Sequence, residues 1–254
     1  MINPILKSPF FKILNIFFKK FEILFKFLSY ITLIYICSVQ ILAFSLISPY
    51  NDHRGVIHMN LDKTIKNMKL RGFTVSCFST ADEASAYLCE QIDGTTVGIG
   101  GSKTADQLGL YEKLSEKNTV FWHWKSSEPD IRAKANAAEI YISSANAIAE
   151  TGELLSIDGM GNRLAGQVWG HKKVYIVSGT NKICPDFEAA LYRARNTAAV
   201  ENCKRFPNKP PCQIDGKCHD CRAADRICRA LLVLWGPMMG METEIVLIDE
   251  TLGM

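Results

Sequence analysis

From residue 59 onward, short runs rich in β-branched residues alternate with amphipathic stretches of helical period. No other feature constrains the fold as much, because this alternation is the signature of a parallel sheet with helices packed on its faces. FTVSCF (73–78) reads as a strand, and Thr80 with Glu83 forms a capping box that opens a helix to about Ile92. TTVGIG (95–100) is the next strand, followed at once by GSKTADQLGLYEKL as a helix. NTVFWHW (118–124) and EIYISS (139–144) flank a helix near 130–138. AIAETGELLSIDG breaks the rhythm, with Ile148–Glu150 and Leu154–Ile157 as two short strands of a hairpin around Thr151-Gly152. KKVYIVSG (172–179) resumes the sheet, and Pro185-Asp186 starts a long helix with apolar residues at Phe187, Leu191, Ala194 and Ala198. ALLVLW (230–235) and TEIVLID (243–249) are two further strands joined by a Gly/Met turn. A single α/β domain over about 59–254 is the economical reading, and that length is ordinary for one fold.

Composition separates this domain from what precedes it. Residues 1–58 hold 8 of the 13 Phe and 6 Lys+Arg against 2 Asp+Glu, whereas the remaining 196 residues carry 23 basic and 24 acidic side chains, a formal charge of −1. The chain's net +3 therefore belongs to the N-terminal piece, and a basic globular domain built to sit on nucleic acid is excluded. Phe27 to Asn51 is a run of 25 uncharged residues preceded by Lys7, Lys12, Lys19, Lys20 and Lys26, long enough to span a bilayer with its N-terminus in the cytoplasm. A cleaved signal peptide fits less well, since the basic lead is long and no small-x-small site follows cleanly. The third reading is that translation starts at Met59. Excess Phe, Ile, Leu and Lys is what AT-rich upstream DNA encodes, and Arg54-Gly55 can be encoded as a purine run like a bacterial ribosome-binding site. On that reading the protein is cytoplasmic; a single-pass anchor through residues 27–51 is the alternative, and a membrane enters only if residues 1–58 are made.

Three regions could carry chemistry. In VGIGGSKT, Gly100 and Gly101 end a strand and Ser102 begins a helix, so backbone N–H groups converge on a volume suited to phosphate or carboxylate. A tight βα turn needing glycine explains the same residues without a ligand, and Lys103 either reaches an anion or points into water. Around the hairpin, Asn146, Glu150, Thr151, Glu153, Asp158, Asn162 and Arg163 fall within 18 residues. Glu150 and Asp158 could form a carboxylate pair for acid/base work, with Glu150 first and Arg163 as counter-charge or anion clamp; ordinary turn chemistry is the alternative. Asn181-Lys182 follows a predicted parallel strand at the end where open α/β sheets place ligands.

The third region is the Cys-rich loop 203–228. Cys203, Cys212, Cys218, Cys221 and Cys228 cluster there, with His219 inside a Cys-x2-Cys. The set Cys212, Cys218, Cys221 and Cys228 suits zinc or an iron–sulfur cluster, although the ferredoxin run is absent. Disulfides or a redox dithiol are the rival reading if the domain is exported. Cys37, Cys77, Cys89 and Cys184 are expected to be buried, His123 and His171 to be structural, and Trp235 with the Met238-Met239-x-Met241 turn to cover a pocket or make a homo-oligomer contact.

Taken in order, TVGIGGSKT, ISSANAIAETGELLSIDGMGNRLAG, KKVYIVSGTNKICPDFEAAL and PPCQIDGKCHDCRAADRIC resemble the single-domain branch of the LUD (lactate utilisation) domain family. The resemblance covers essentially all of 59–254 and none of 1–58, and so supports Met59 as the natural start. It implies a Rossmann-like parallel sheet similar to ribose-5-phosphate isomerase, glucosamine-6-phosphate deaminase and CoA transferases, whose first glycine loop cradles an anionic ligand. It implies Gly100, Gly101 and Ser102 as that loop, and Glu150-Thr151-Gly152, Asn162-Arg163 and Asn181-Lys182 as pocket residues. Larger members belong to an iron–sulfur complex that oxidises L-lactate to pyruvate, one subunit of which carries a ferredoxin-type extension that this chain lacks. A lactate or organic-acid role, with such subunits as partners, is thus implied by association. The alternative is a non-catalytic metal-binding or redox accessory protein working through the cysteines.

Overall fold

The computed structural model describes residues 60–207 and 209–254; the apolar run 27–51 and the expected start at Met59 lie outside them. Helix α1 (Leu61–Leu70) is capped by the Asn60 side chain, which accepts from Lys63 N. It leads into β1 (Thr74–Phe78) and then α2 (Ala81–Gln91), where the Thr80/Glu83 capping box forms as its sequence requires. After β2 (Thr96–Ile99) the expected single helix is broken: α3 (Lys103–Gln107) ends at Leu108, and Gly109, at φ +64°, restarts it as α4 (Leu110–Ser115). A left-handed residue has no place inside a continuous helix, so glycine takes the corner. β3 (Thr119–Trp122), α5 (Ile131–Asn136) and β4 (Ile140–Ser143) follow.

The hairpin strands are β5 (Ala147–Ala149) and β6 (Leu154–Asp158), and after α6 (Asn162–Val168) the chain returns through β7 (Lys173–Gly179). A 3-10 turn (Thr180–Lys182) and the two-residue β8 (Ile183–Cys184) precede the long helix, which Asp186 caps by accepting from Ala189 N. That helix runs as α7 (Phe187–Arg193), a π-helical segment (Ala194–Ala198) and α8 (Ala199–Cys203). Among its described residues the Cys-rich loop holds the short α9 (Cys212–Asp215), and β9 (Ala230–Leu234) and β10 (Glu242–Ile248) follow.

Two sheets result. The main sheet has the order β1-β10-β7-β4-β2-β3 with every pairing parallel. Its central strands β10, β7, β4 and β2 are buried on both faces, which is why they read as nearly continuous apolar runs. Val246 and Ile248 of β10 join Tyr175 and Val177 of β7 under α2 and α4, while Ile245 and Leu247 join Val174 and Ile176 on the opposite face with α1 and α5. The small sheet, β8-β5-β6-β9, packs on that second face, and its far side is covered by Ala189, Ala190 and Ala194 of the long helix. β9 and β10, adjacent in sequence, thus enter different sheets: β9 is an antiparallel edge strand on β6, and β10 slots between β1 and β7. The described residues form one α/β domain of Rossmann-like kind. Among them no helix is long and apolar enough to cross a membrane.

Candidate active site

In the main sheet β2 leads outward to β3, whereas β4 starts the run back through β7 to β10, so the winding reverses between β2 and β4. Loops leaving the carboxyl ends of such a pair diverge and open a crevice. A cavity of about 410 Å³ lies there, walled by Gly101, Ser102 and Thr104 after β2, by Ser144, Ala145 and Asn146 after β4, and by Lys182 after β7. Its walls carry five cationic side chains, Lys103, Arg132, Arg163, Lys182 and Arg205, against one acid, Asp158. The domain is nearly neutral as a whole, so this concentration is local.

Each of these groups has a definite setting. Arg163, buried, donates through Nη1 to Ser144 O (2.8 Å) and through Nη2 to Asn146 Oδ1 (2.9 Å) and Ile157 O, which locks the β4 loop to β6. Its way in depends on Gly100: a Cβ there would lie 3.0 Å from Arg163 Cγ and 2.9 Å from the Tyr141 hydroxyl. The Asp158 carboxylate accepts from Gly159 N (2.8 Å) and Arg163 N (3.0 Å), so it anchors the turn into α6. Lys103 is paired with Asp106 at 2.8 Å. Arg205 lies over the Trp124 ring, 4.4 Å from its centre, a cation–π contact that fixes it at the cavity wall. Arg132 keeps a buried Nε without a hydrogen-bond partner among the described residues.

Lys182 is the most unusual of the set. Its Nζ donates to Thr104 Oγ1 (2.9 Å), Ser144 Oγ (2.9 Å) and Ala145 O (3.2 Å), the side chain is buried, and no carboxylate among the described residues pairs with it. Burial, and then the charges of Arg193 and Arg163, pull its pKa down to about 7. The C-terminal segment closes over it: Asn181 Oδ1 accepts from Leu252 N (3.2 Å), and Gly253, at φ +73°, has no room for a Cβ, which would meet Thr104 Oγ1 at 2.5 Å.

Of the residues expected to form the site, Gly101, Ser102, Asn146, Asp158, Asn162, Arg163 and Lys182 all line this cavity. Ser102 also caps α3 by accepting from Ala105 N. Gly100 stands behind the wall, its N–H donated to Ile142 O, and Asn181 braces the C-terminal segment. Glu150, Thr151 and Gly152 do not line the cavity. They form the β5–β6 turn against α1, where Glu150 pairs with Lys63 at 2.5 Å and accepts from Asn60 N, and Arg71 bonds Thr151 O and Glu153. The Lys63 ammonium holds the Glu150 carboxyl below its ordinary value.

Two histidines divide. His171 is structural as expected, stacked on Tyr141 with Nδ1 2.6 Å from Ala138 O. His123 instead lines the cavity, and burial, then Arg132, lowers its pKa so that the ring is neutral. His123, Arg132 and Arg205 were not legible as site residues; His123 directly follows β3, but Arg132 lies on α5 and Arg205 just past α8, where no local pattern marks a site.

The Cys-rich loop forms a second, small cavity of about 20 Å³, walled by Cys212, Cys218, Cys221 and Cys228 together with Cys203 from the end of α8 and His219. Arg226 Nη2 donates to Cys228 Sγ at 3.3 Å, and Arg195, on the π-helical segment, reaches Cys218 Sγ at 3.8 Å. All described cysteines are free thiols, and among the described residues no three His, Cys, Asp or Glu side chains stand grouped as a ready ligand set for a metal ion. Cys77 is exposed on the edge strand β1 and Cys89 is half-buried, contrary to the burial expected of both, whereas Cys184 is buried. Ile227 lies in the walls of both cavities and so separates them.

The profile of the LUD domain matches residues 61–248. The chain belongs to the LUD domain family. Among solved structures it is similar to a DUF162 family protein from Deinococcus radiodurans, at 10% identity over 74% of this chain and 95% of that one, with a TM-score of 0.44. A search of curated proteins found no match.

Proposed function

We propose that this LUD-domain protein binds a small anionic metabolite in the cavity at the carboxyl ends of β2, β4 and β7, and serves lactate or other organic-acid utilisation, either as an enzyme or as a subunit beside iron–sulfur partners. The observation that carries this reading is the excess of basic over acidic side chains on the walls, five against one, in a domain whose total charge is near zero; Lys103 is paired with Asp106 and Lys182 is held near neutrality, so Arg132, Arg163 and Arg205 supply most of the positive charge. Its volume of about 410 Å³ is that of a metabolite site rather than a macromolecular groove. The acid/base role expected of Glu150 passes to groups that face the cavity, foremost Lys182 and the neutral His123. Thermal-shift screening of 2-hydroxy acids, 2-oxo acids, sugar phosphates and CoA esters tests the reading. A binder at a hundred times its Kd adds about 2.7 kcal/mol and so raises Tm by several degrees; no shift from any of these classes would count against it.

A second reading places the working part in the cysteines. It is supported by their convergence, from positions up to 25 residues apart, on one small cavity that shares a wall with the larger one. The residues named from spacing, Cys212, Cys218, Cys221 and Cys228, would then hold zinc or an iron–sulfur cluster, with Cys203 as a fifth thiol at hand. Metal and acid-labile sulfide analysis after anaerobic purification tests this reading. A stoichiometric metal lost on replacing Cys218 and Cys221 by Ser is the expected result, and its absence in a folded wild-type protein would end it.

A further inference from the structure

We infer that Lys182 is a carbonyl-reactive amine, and that the anion the cavity takes is a 2-oxo acid with which Lys182 condenses to an imine. The inference rests on the anion-binding reading above and deepens it. The geometry begins with what surrounds Nζ: two hydroxyls, Thr104 and Ser144, and one carbonyl, Ala145 O. A buried ammonium is normally matched by a carboxylate, because taking an unpaired charge out of water is very costly. Here the charges that reach Lys182 are those of Arg163 and Arg193, which have the same sign. The environment therefore favours the neutral amine, the form in which a lysine is a nucleophile. A neutral amine also fits its partners, since it donates two protons and accepts one from a hydroxyl able to rotate.

The same electrostatics select the partner molecule. Once an imine forms and protonates, the site again holds a cation without a counter-charge, unless the ligand brings one. A 2-oxo acid carries its carboxylate on the carbon next to the reacting carbonyl, so it supplies the negative charge that the surroundings of Lys182 lack. A 2-hydroxy acid has the same charge but no carbonyl, and serves as a non-reacting analogue. In the step itself, Nζ attacks the carbonyl carbon and one amine proton passes to the carbonyl oxygen, giving a carbinolamine. That hydroxyl then leaves as water with the second amine proton, and the C=N bond forms without any oxidant or reductant. Thr104 Oγ1 and Ser144 Oγ, 3.3 Å apart and both against Nζ, are placed to pass these protons.

Reductive trapping tests the inference on the full chain. The wild-type protein is incubated at pH 7 with pyruvate or glyoxylate and borohydride, and the adduct is located by peptide mass mapping. The expected result is one adduct per chain at Lys182, forming about a hundredfold faster than at any surface lysine, because a far larger fraction of its amine is unprotonated. Excess L-lactate should suppress it, and Lys182→Arg, checked for native circular dichroism, should abolish it. Labelling scattered evenly over surface lysines, or none at Lys182, would overturn the inference. Calorimetry with L-lactate, pyruvate and ribose 5-phosphate keeps the two readings apart: saturable binding of any of them without trapping at Lys182 refutes the imine alone, whereas no binding of any refutes the anion site as well.

Discussion

At the scale of single residues, position in the sequence was informative where function and backbone geometry coincide. Ser102 and Lys182 follow strand ends of the parallel sheet, where loops converge whatever the details of packing, and both reach the cavity, as does Arg163 after β6 of the small sheet. Glu150 lies outside the cavity for an equally physical reason. It sits in a stretch rich in polar turn residues, but the direction of its side chain is set by Lys63 and Asn60, about ninety positions earlier in the chain, and no local pattern reveals such a partner. Glu150→Gln should therefore leave ligand affinity unchanged. Because Lys63 is largely exposed, it should cost no more than about 1 kcal/mol in urea unfolding. A loss of affinity with unchanged stability would return Glu150 to the site. His123 shows the converse case: a lone histidine at a strand edge, between two tryptophans, reads as structural, yet the turn after β3 brings it to the cavity wall.

At the scale of elements, the strands and their parallel pairing were legible because burial on both faces leaves continuous apolar runs, and the capping residues Thr80 and Asp186 marked their helices. The break at Gly109, the π-helical segment and the parting of β9 from β10 were not, since each is decided by tertiary packing. One polar insertion in the main sheet was also missed. Glu244, in the middle of β10, is 1% exposed and accepts from Ser76 Oγ (2.6 Å) and Tyr87 OH (2.7 Å) while pairing with Lys173 (2.7 Å), so β1, α2 and β7 are joined through one carboxylate. Burial works to raise its pKa, but the bonds from Lys173, Ser76 and Tyr87 outweigh it and hold the value below the ordinary 4.5. A lowered carboxylate pKa means that its stabilisation is complete above pH 4.5 and is lost as pH falls through the folded value. Lys173→Met leaves the buried charge unpaired and should destabilise by about 3–5 kcal/mol at neutral pH. Urea unfolding between pH 3 and pH 7 checks this; a variant as stable as wild type at pH 7 would show that the ion pair contributes little.

At the scale of the whole molecule, the sheet order matters most. Because the winding reverses between β2 and β4, three loops distant in sequence meet over one crevice, and the long helix with its Cys-rich extension closes the fourth side through Arg205 and Ile227. Composition argued against a basic globular domain but could not show that basic side chains of a near-neutral domain gather in one place. The family's fold explains where a site would lie, and the residues of this chain explain which charge it would attract. The account stands or falls on that charge. Titration calorimetry of the wild type and of a double Arg132→Ala, Arg205→Ala variant with pyruvate, L-lactate and ribose 5-phosphate, at low and at physiological salt, tests it most directly. The account predicts one saturable site for at least one of these anions, an affinity that weakens with added salt, and a further loss of about tenfold or more, some 1.4 kcal/mol, in the variant. Heats that show no binding to the wild type, or an affinity that neither salt nor the loss of both arginines changes, would contradict it.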